Sequence, residues 1–177
     1  FMQPCRVLSY AQAVTSGEIP ACELVKQACQ RHIDDLQRTD GISWNQAAAE
    51  IAIEFFTFLT HSKGDYAGRP FALMPWQKFI VGSLFGWRRA DGSRRFREAW
   101  IETPRKSGKT TLAAGIGLYL MIGDGEPGAE IFSCATKREQ AKLSHSEAKR
   151  MIRGSRSLSG RVTVLRDNLS IEATNSK

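Results

Sequence analysis

The sequence predicts an α/β fold, a parallel sheet flanked by helices, with an α-helical lead-in. Three observations carry this. Residues 96–122, FREAWIETPRKSGKTTLAAGIGLYLMI, read as a short apolar strand, a basic loop and a strongly apolar helix. A second apolar run, Ala129–Ala135, follows at parallel-crossover distance and precedes another helix. Residues 1–62 read instead as helices, with apolar positions recurring every three or four residues.

At 177 residues the chain can bury one sizeable core, with room for a small appendage. It is 42% apolar and 24% charged, ordinary for a globular protein. Residues 1–20 show no basic start followed by an apolar run, so no signal peptide is expected. The longest apolar stretch, Leu112–Ile122, is too short to span a bilayer and ends in Gly123-Asp124-Gly125, so no membrane partner is expected. Cys5, Cys22, Cys29 and Cys134 lack the spacing of a disulfide scaffold, which favours a reduced, cytoplasmic setting. The net charge of +7 is uneven. Residues 1–87 hold 7 Lys/Arg against 8 Asp/Glu, and residues 88–177 hold 18 against 10. A nucleotide alone does not need that excess. A polyanion such as nucleic acid does, although a solvated basic surface reads the same way.

In chain order, Ser9–Thr15 is a short helix ending at a Ser16-Gly17 turn. Pro20 suits the first turn of a helix running to about Arg38. Its packing face is Cys22, Val25, Ala28, Cys29, Ile33 and Leu36. Cys22, Cys29 and His32 suggest a metal site. Seven helical residues, however, separate the cysteines by roughly 10 Å along the axis, so core cysteines are the better reading. Asp40-Gly41 marks a turn. Trp44–Leu59 is a second helix with Ser43 as its N-cap and Ala47, Ile51, Phe55 and Leu59 along one face. The aromatics Phe55, Phe56 and Phe58 are packing residues. Residues 63–70 form a glycine-rich loop. Pro75 then opens a helix ending near Gly86, with Gln77 in its first turn.

A basic turn, Arg88–Arg97, leads into the strand Ala99–Glu102. Beyond the strand Ala129–Ala135, Lys137–Arg153 is a helix. On it Arg138, Lys142, His145, Lys149 and Arg153 fall within about 80° of arc, with Ala141, Leu143, Ala148, Met151 and Ile152 mostly elsewhere. The stripe suits a phosphate-backbone track, and equally a solvated face, the plainer reading. Arg161–Leu165 and Leu169–Ala173 alternate apolar and polar around Asp167-Asn168, a β-hairpin pattern.

The chemistry concentrates at Ser107-Gly108-Lys109-Thr110, between strand and helix. This is the context in which Gly-Lys-Thr means nucleotide phosphate binding. Loop N–H groups face the phosphates and the helix N-terminus adds partial positive charge. Lys109 neutralises the β and γ phosphates, and Thr110 offers its hydroxyl to Mg²⁺. The loop departs from the usual pattern in two ways. Thr103 stands at the leading-glycine position, and Arg105 and Lys106 add two cations. An arginine that grips a phosphate bidentately is chemically sensible there.

An arginine three places before the glycine of Gly-Lys-Thr, with no leading glycine, resembles the large-subunit terminases of tailed bacteriophages. The stretches GEIPACELVKQACQRHIDDL, KGDYAGRPFALMPWQKFIVGSLFGW, RRFREAWIETPRKSGKTTLAAGIGLYLM and ATKREQAKLSHSEAKRMI are similar to that family, from about Ala11 to Ile171. The resemblance implies an ASCE-type P-loop NTPase fold with ATP and Mg²⁺ as cofactors. It makes Gln77 the adenine-reading residue, with Trp76 and Phe79 near the base. Arg105 becomes the phosphate-sensing arginine, catalytic together with Lys109. Lys106, Ser107, Gly108, Thr110 and Thr111 complete the nucleotide set, and Thr110 is the Mg²⁺ ligand. Ala135-Thr136-Lys137 with Gln140 resembles a segment that faces nucleic acid. Lys137, Arg138, Lys142, Lys149 and Arg153 are the candidate DNA-facing side chains. The implied partners are double-stranded DNA, a portal ring, a small terminase subunit and further copies in a ring, in the cytoplasm of a host bacterium.

Hydrolysis also needs carboxylates for Mg²⁺ and the attacking water. No strand after Thr110 ends in an acidic pair: Asp124, Asp167 and Glu172 each stand in the wrong context. These acids and a nuclease domain are expected beyond Lys177. The chain then comprises a lead-in, residues 1–62, and the first part of an ATPase domain, residues 63–177, inactive alone. A helicase-like P-loop ATPase shares the upstream glutamine and is the alternative. A small-metabolite kinase fits the long lead-in poorly, and a non-enzymatic basic DNA-binding module remains a third reading.

Overall fold

A computed structural model describes residues 5–164 and 171–173. The chain packs as two compact units, Phe1–Ile53 with Leu73–Ile101, and Glu54–Ala72 with Glu102–Lys177. Residues of the helical lead-in thus contribute to both.

The first unit is built on helices α1 (Arg6–Thr15), α2 (Glu23–Asp35) and α4 (Pro75–Gly86), with most of α3 (Gln46–Phe55). Strands β1 (Ile42–Trp44) and β2 (Trp87–Arg89) pair antiparallel, Ile42 opposite Arg89 and Trp44 opposite Trp87. Helix α4 has the predicted bounds because Pro75 occupies the start, where no N–H is needed. Its glycines let neighbours come close. A Cβ on Gly82 would lie 2.3 Å from Val7, and one on Gly86 would lie 2.5 Å from the Trp44 ring.

Trp87 is buried, and its indole N–H donates to His32 Nδ1 at 3.0 Å. The His32 ring also stands edge-on to Trp44 and Phe79, at 4.8 and 5.8 Å between centroids. This dry surround pushes the imidazole pKa down to about 4, against a smaller opposing pull from Asp35. Asp35 is itself buried and ion-paired with Arg95 at 2.5 Å and Arg38 at 3.2 Å. His32 and Cys29 are thus core residues, whereas Cys22 is exposed at the start of α2 and not on its packing face.

The second unit packs α5 (Lys109–Ile122) beside α6 (Arg138–Gly154), followed by the short α7 (Arg156–Ser159). Strands β3 (Val162–Val164) and β4 (Ile171–Ala173) pair antiparallel, Thr163 opposite Glu172. The predicted hairpin thus has its two strands, while its turn at Asp167-Asn168 lies outside the described residues. Phe56 lies against Gly115 of α5, where a Cβ would come within 2.4 Å of its ring. Ser62 donates to Glu147 of α6 at 2.7 Å, and Arg150 reaches the same carboxylate at 2.7 Å.

Several expectations are corrected. The helix predicted over Trp44–Leu59 is a strand residue, then α3, then a 3-10 turn over Phe56–Phe58. Ser43 lies in β1 and caps nothing. The Asn45 side chain accepts from Ala48 N–H at 2.9 Å instead. The expected face of α3 is turned: Ile51 is 59% exposed and Ala47 is exposed, while Ala49, Ala52 and Ile53 are buried. Small side chains on that side let α3 approach α4, since a Cβ on Gly86 would meet Ala49 at 2.9 Å. Leu143 of α6 is exposed rather than packed.

The segments 99–102 and 129–135 form no ladder, so the expected parallel sheet is not assembled among the described residues, whose sheets are both two-stranded and antiparallel. A strand needs a neighbour for its N–H and C=O groups, and neither segment has one there. Both keep apolar side chains in the open: Trp100 is 92% exposed and Phe132 79%.

Candidate functional site

The loop from Thr103 to Gly108 turns back sharply before α5. Lys106 has φ 67° and Gly108 has φ 80° and ψ 18°, both left-handed. Glycine takes this conformation at little cost, and a residue with a Cβ does not. Gly108 is the N-cap of α5, and the first turn of the helix closes with Leu112 N–H on Gly108 O at 2.9 Å. By helix geometry the amides of Lys109, Thr110 and Thr111 have no intrahelical acceptor. They present donors and partial positive charge at the loop mouth, an arrangement suited to an anion.

Side chains cross-brace the loop. Thr103 Oγ1 and Ser107 Oγ are 2.6 Å apart, and Ser107 Oγ donates to Pro104 O at 2.8 Å. Lys109 folds back over the loop, its ammonium donating to the carbonyls of Thr103 and Pro104, the latter at 2.9 Å. Arg105, Lys106 and Thr110 are exposed around this turn. The donor set fits a triphosphate: two exposed cations, Arg105 and Lys106, an outward-facing helix start and the Lys109 ammonium already inside the loop. The Thr110 hydroxyl is a hard oxygen of the kind that Mg²⁺ prefers.

The other nucleotide candidates lie in the first unit. Gln77 is buried, and its Oε1 accepts from Met74 N–H at 2.9 Å, bracing the start of α4. Trp76 is half-buried. Phe79 is buried, with its ring 5.4 Å from that of Tyr10, and so serves the core.

Lys137, just before α6, and Arg138 and Arg153 on it are exposed, and Lys142 and Lys149 are half-buried. The stripe does not simply face solvent. Arg138, Lys142 and His145 line a cavity of about 840 Å³ walled by α5, residues 128–133 and β4. Both His145 ring nitrogens are buried without a hydrogen-bond partner among the described residues. Burial, then the charge on Lys149, holds its pKa below the ordinary imidazole value. Thr136 Oγ1 lies 3.3 Å from Gln140 Oε1, so that pair braces the exposed entry to α6.

Sequence reasoning missed the Thr103–Ser107 contact. Two hydroxyl residues four apart, bracketing a turn, were a visible signal.

A family model described as "Terminase large subunit, ATPase domain" matches residues 75–175, more than half the chain, from the start of α4 to just past β4. No curated protein and no solved structure matches. The family implies a P-loop NTPase fold with nucleotide use, and the mixture of helices and short strands agrees with an α/β class. The chain belongs to the family of terminase large-subunit ATPase domains, the ATPases of DNA packaging.

Proposed function

We propose that this chain holds the ATP site of a motor that couples hydrolysis to moving double-stranded DNA into a procapsid. The observation that carries the reading is the cross-braced turn at Thr103–Gly108, opening onto the start of α5 with Lys109 folded into it. Lys109 leaves its two carbonyls and pairs with the β and γ phosphates. Arg105 and Lys106 swing in from solvent to share the remaining charge, with Arg105 sensing the γ phosphate. The amides of Ser107, Gly108, Lys109, Thr110 and Thr111 cradle the oxygens, and Thr110 ligates Mg²⁺. Bound Mg²⁺–ATP supplies the phosphoanhydride bond that drives the motor. Gln77 reads the adenine edge through its amide, beside Trp76.

Segments 99–102 and 129–135 belong to a parallel sheet of the P-loop type, which their apolar character supports. Lys137, Arg138, Lys142, Lys149 and Arg153 are assigned to the DNA track, and the basic charge of residues 88–177 supports that assignment. A portal ring, a small subunit and further copies of the chain are the protein partners, and the bacterial cytoplasm is the place of action.

The test is ATP binding to the 177-residue chain in the presence of Mg²⁺. Lys109→Ala is expected to weaken it about 100-fold, the loss of a charged contact worth roughly 3 kcal/mol. Unchanged affinity in that variant rejects the site. Equal ATP and GTP affinity, insensitive to Gln77→Ala, rejects the adenine role.

A further inference from the structure

We propose that Thr103 is a positioning residue of the phosphate loop, whose hydroxyl clasps Ser107 and holds the turn in its phosphate-ready shape. The proposal rests on the nucleotide-binding reading above.

A hydroxyl has one proton to give. Ser107 gives its own to Pro104 O, a carbonyl that can only accept, at 2.8 Å. The 2.6 Å contact between the two hydroxyls therefore takes its proton from Thr103. The backbone carbonyl of the same threonine receives the Lys109 ammonium. Thr103 thus holds the loop at two points, through its side chain to Ser107 and through its main chain to Lys109. Pro104 O, which accepts from both Ser107 and Lys109, closes the ring of contacts.

What the ring encloses needs holding. Lys106 lies between the clasped residues with φ 67°, a conformation that a residue with a Cβ adopts only at a cost. Left alone, it relaxes to negative φ and the amides that follow turn away from a common centre. The clasp spans Lys106 and opposes that relaxation. Position 103 is also where loops of this kind carry a glycine. Threonine there trades flexibility for a fixed shape, so less ordering is left for the nucleotide to impose.

The experiment measures ATP affinity with Mg²⁺, by titration calorimetry on the 177-residue chain, together with the thermal midpoint. Thr103→Val keeps the shape and removes the hydroxyl, Thr103→Ser keeps the hydroxyl, and Lys109→Ala serves as the site control. The valine variant is expected to bind about tenfold more weakly, the worth of one well-made hydrogen bond. The serine variant is expected within about twofold of the parent, with all midpoints unchanged. Parent-like or tighter binding by the valine variant overturns the clasp, as does equal weakening in both variants. A valine variant that loses its melting transition overturns the claim that the role is local. If Lys109→Ala binds like the parent, the nucleotide site falls and the clasp falls with it. If Lys109→Ala loses binding while Thr103→Val does not, the clasp alone falls.

Discussion

The two units use the same kinds of side chain for opposite ends. In the first, polar groups are buried and committed: His32 to Trp87, and Asp35 to Arg95 and Arg38. In the second, the cations of the loop stand in the open, and Lys109 is held only by main-chain carbonyls that a phosphate can outbid. A side chain already satisfied inside a core stabilises the fold. One that is charged, exposed and loosely held is available to a ligand. Residue type alone does not separate the two cases; burial and partnership do.

The strongest way to break this comparison is to attack the first core. Trp87→Ala removes a buried indole and the donor to His32, and is expected to cost about 3–5 kcal/mol of stability. All four tryptophans, Trp44, Trp76, Trp87 and Trp100, lie in the first unit, so tryptophan emission during urea unfolding reports on it. A loss under about 1 kcal/mol means that the indole is not what holds that core, and the contrast fails.

Acid tests the same core with a smaller effect. The folded pKa of His32 is lowered to about 4 from an ordinary value near 6.5, so the unfolded chain binds the extra proton first. The associated stability is fully present above pH 6.5 and is lost as pH falls toward 4. The total is on the order of 3 kcal/mol, at about 1.4 kcal/mol per pH unit. His145 adds a contribution of the same sign from the second unit. The depressed carboxyls of Asp35 and Glu147 act mainly below this window. Urea midpoints measured between pH 7 and 4.5 are expected to fall steadily, and His32→Gln to flatten most of the slope. An unchanged slope in that variant shifts the weight to His145 and reverses the comparison.

What the sequence made legible follows from how local each signal is. The start of helix α4 was readable because Pro75 acts through its own backbone. The start of α3 was not. Ser43 is a good cap by type, but it was drawn into β1 by Arg88 across the ladder, a partner forty-five positions away. Segments 99–102 and 129–135 carry strand composition, yet a strand exists only with a neighbour, which composition cannot supply. At the site, the Gly108 turn and the Lys109 side chain were legible because the motif encodes them locally. The clasp was not, because Thr103 was weighed as a missing glycine and not as a hydroxyl. The wall that Arg138, Lys142 and His145 make with α5 depends on tertiary packing that helical periodicity cannot show.

The smallest effect comes from the second unit's own buried polar cluster. Ser62 Oγ donates to Glu147 Oε1 at 2.7 Å and accepts from Arg150 Nε at 3.3 Å. Burial alone raises the Glu147 pKa, but the bonds from Ser62 and Arg150 outweigh it and hold the carboxyl below its ordinary value. Ser62→Ala removes one hydrogen bond and leaves the Arg150 pair in place, so the expected cost at pH 7 is only about 1 kcal/mol. For a depressed carboxyl the stability is present above the unfolded pKa and lost as pH falls through the folded one. The gap between parent and variant is therefore expected to narrow as pH falls below the ordinary carboxylate range and Glu147 protonates. The second unit contains no tryptophan, so far-UV circular dichroism is the suitable probe. A cost near 1 kcal/mol places this cluster as a brace, with the unit's functional charge elsewhere. A cost as large as that of Trp87→Ala means that the second unit is also held by committed polar groups, and the division between a spent core and an available surface no longer follows the two units.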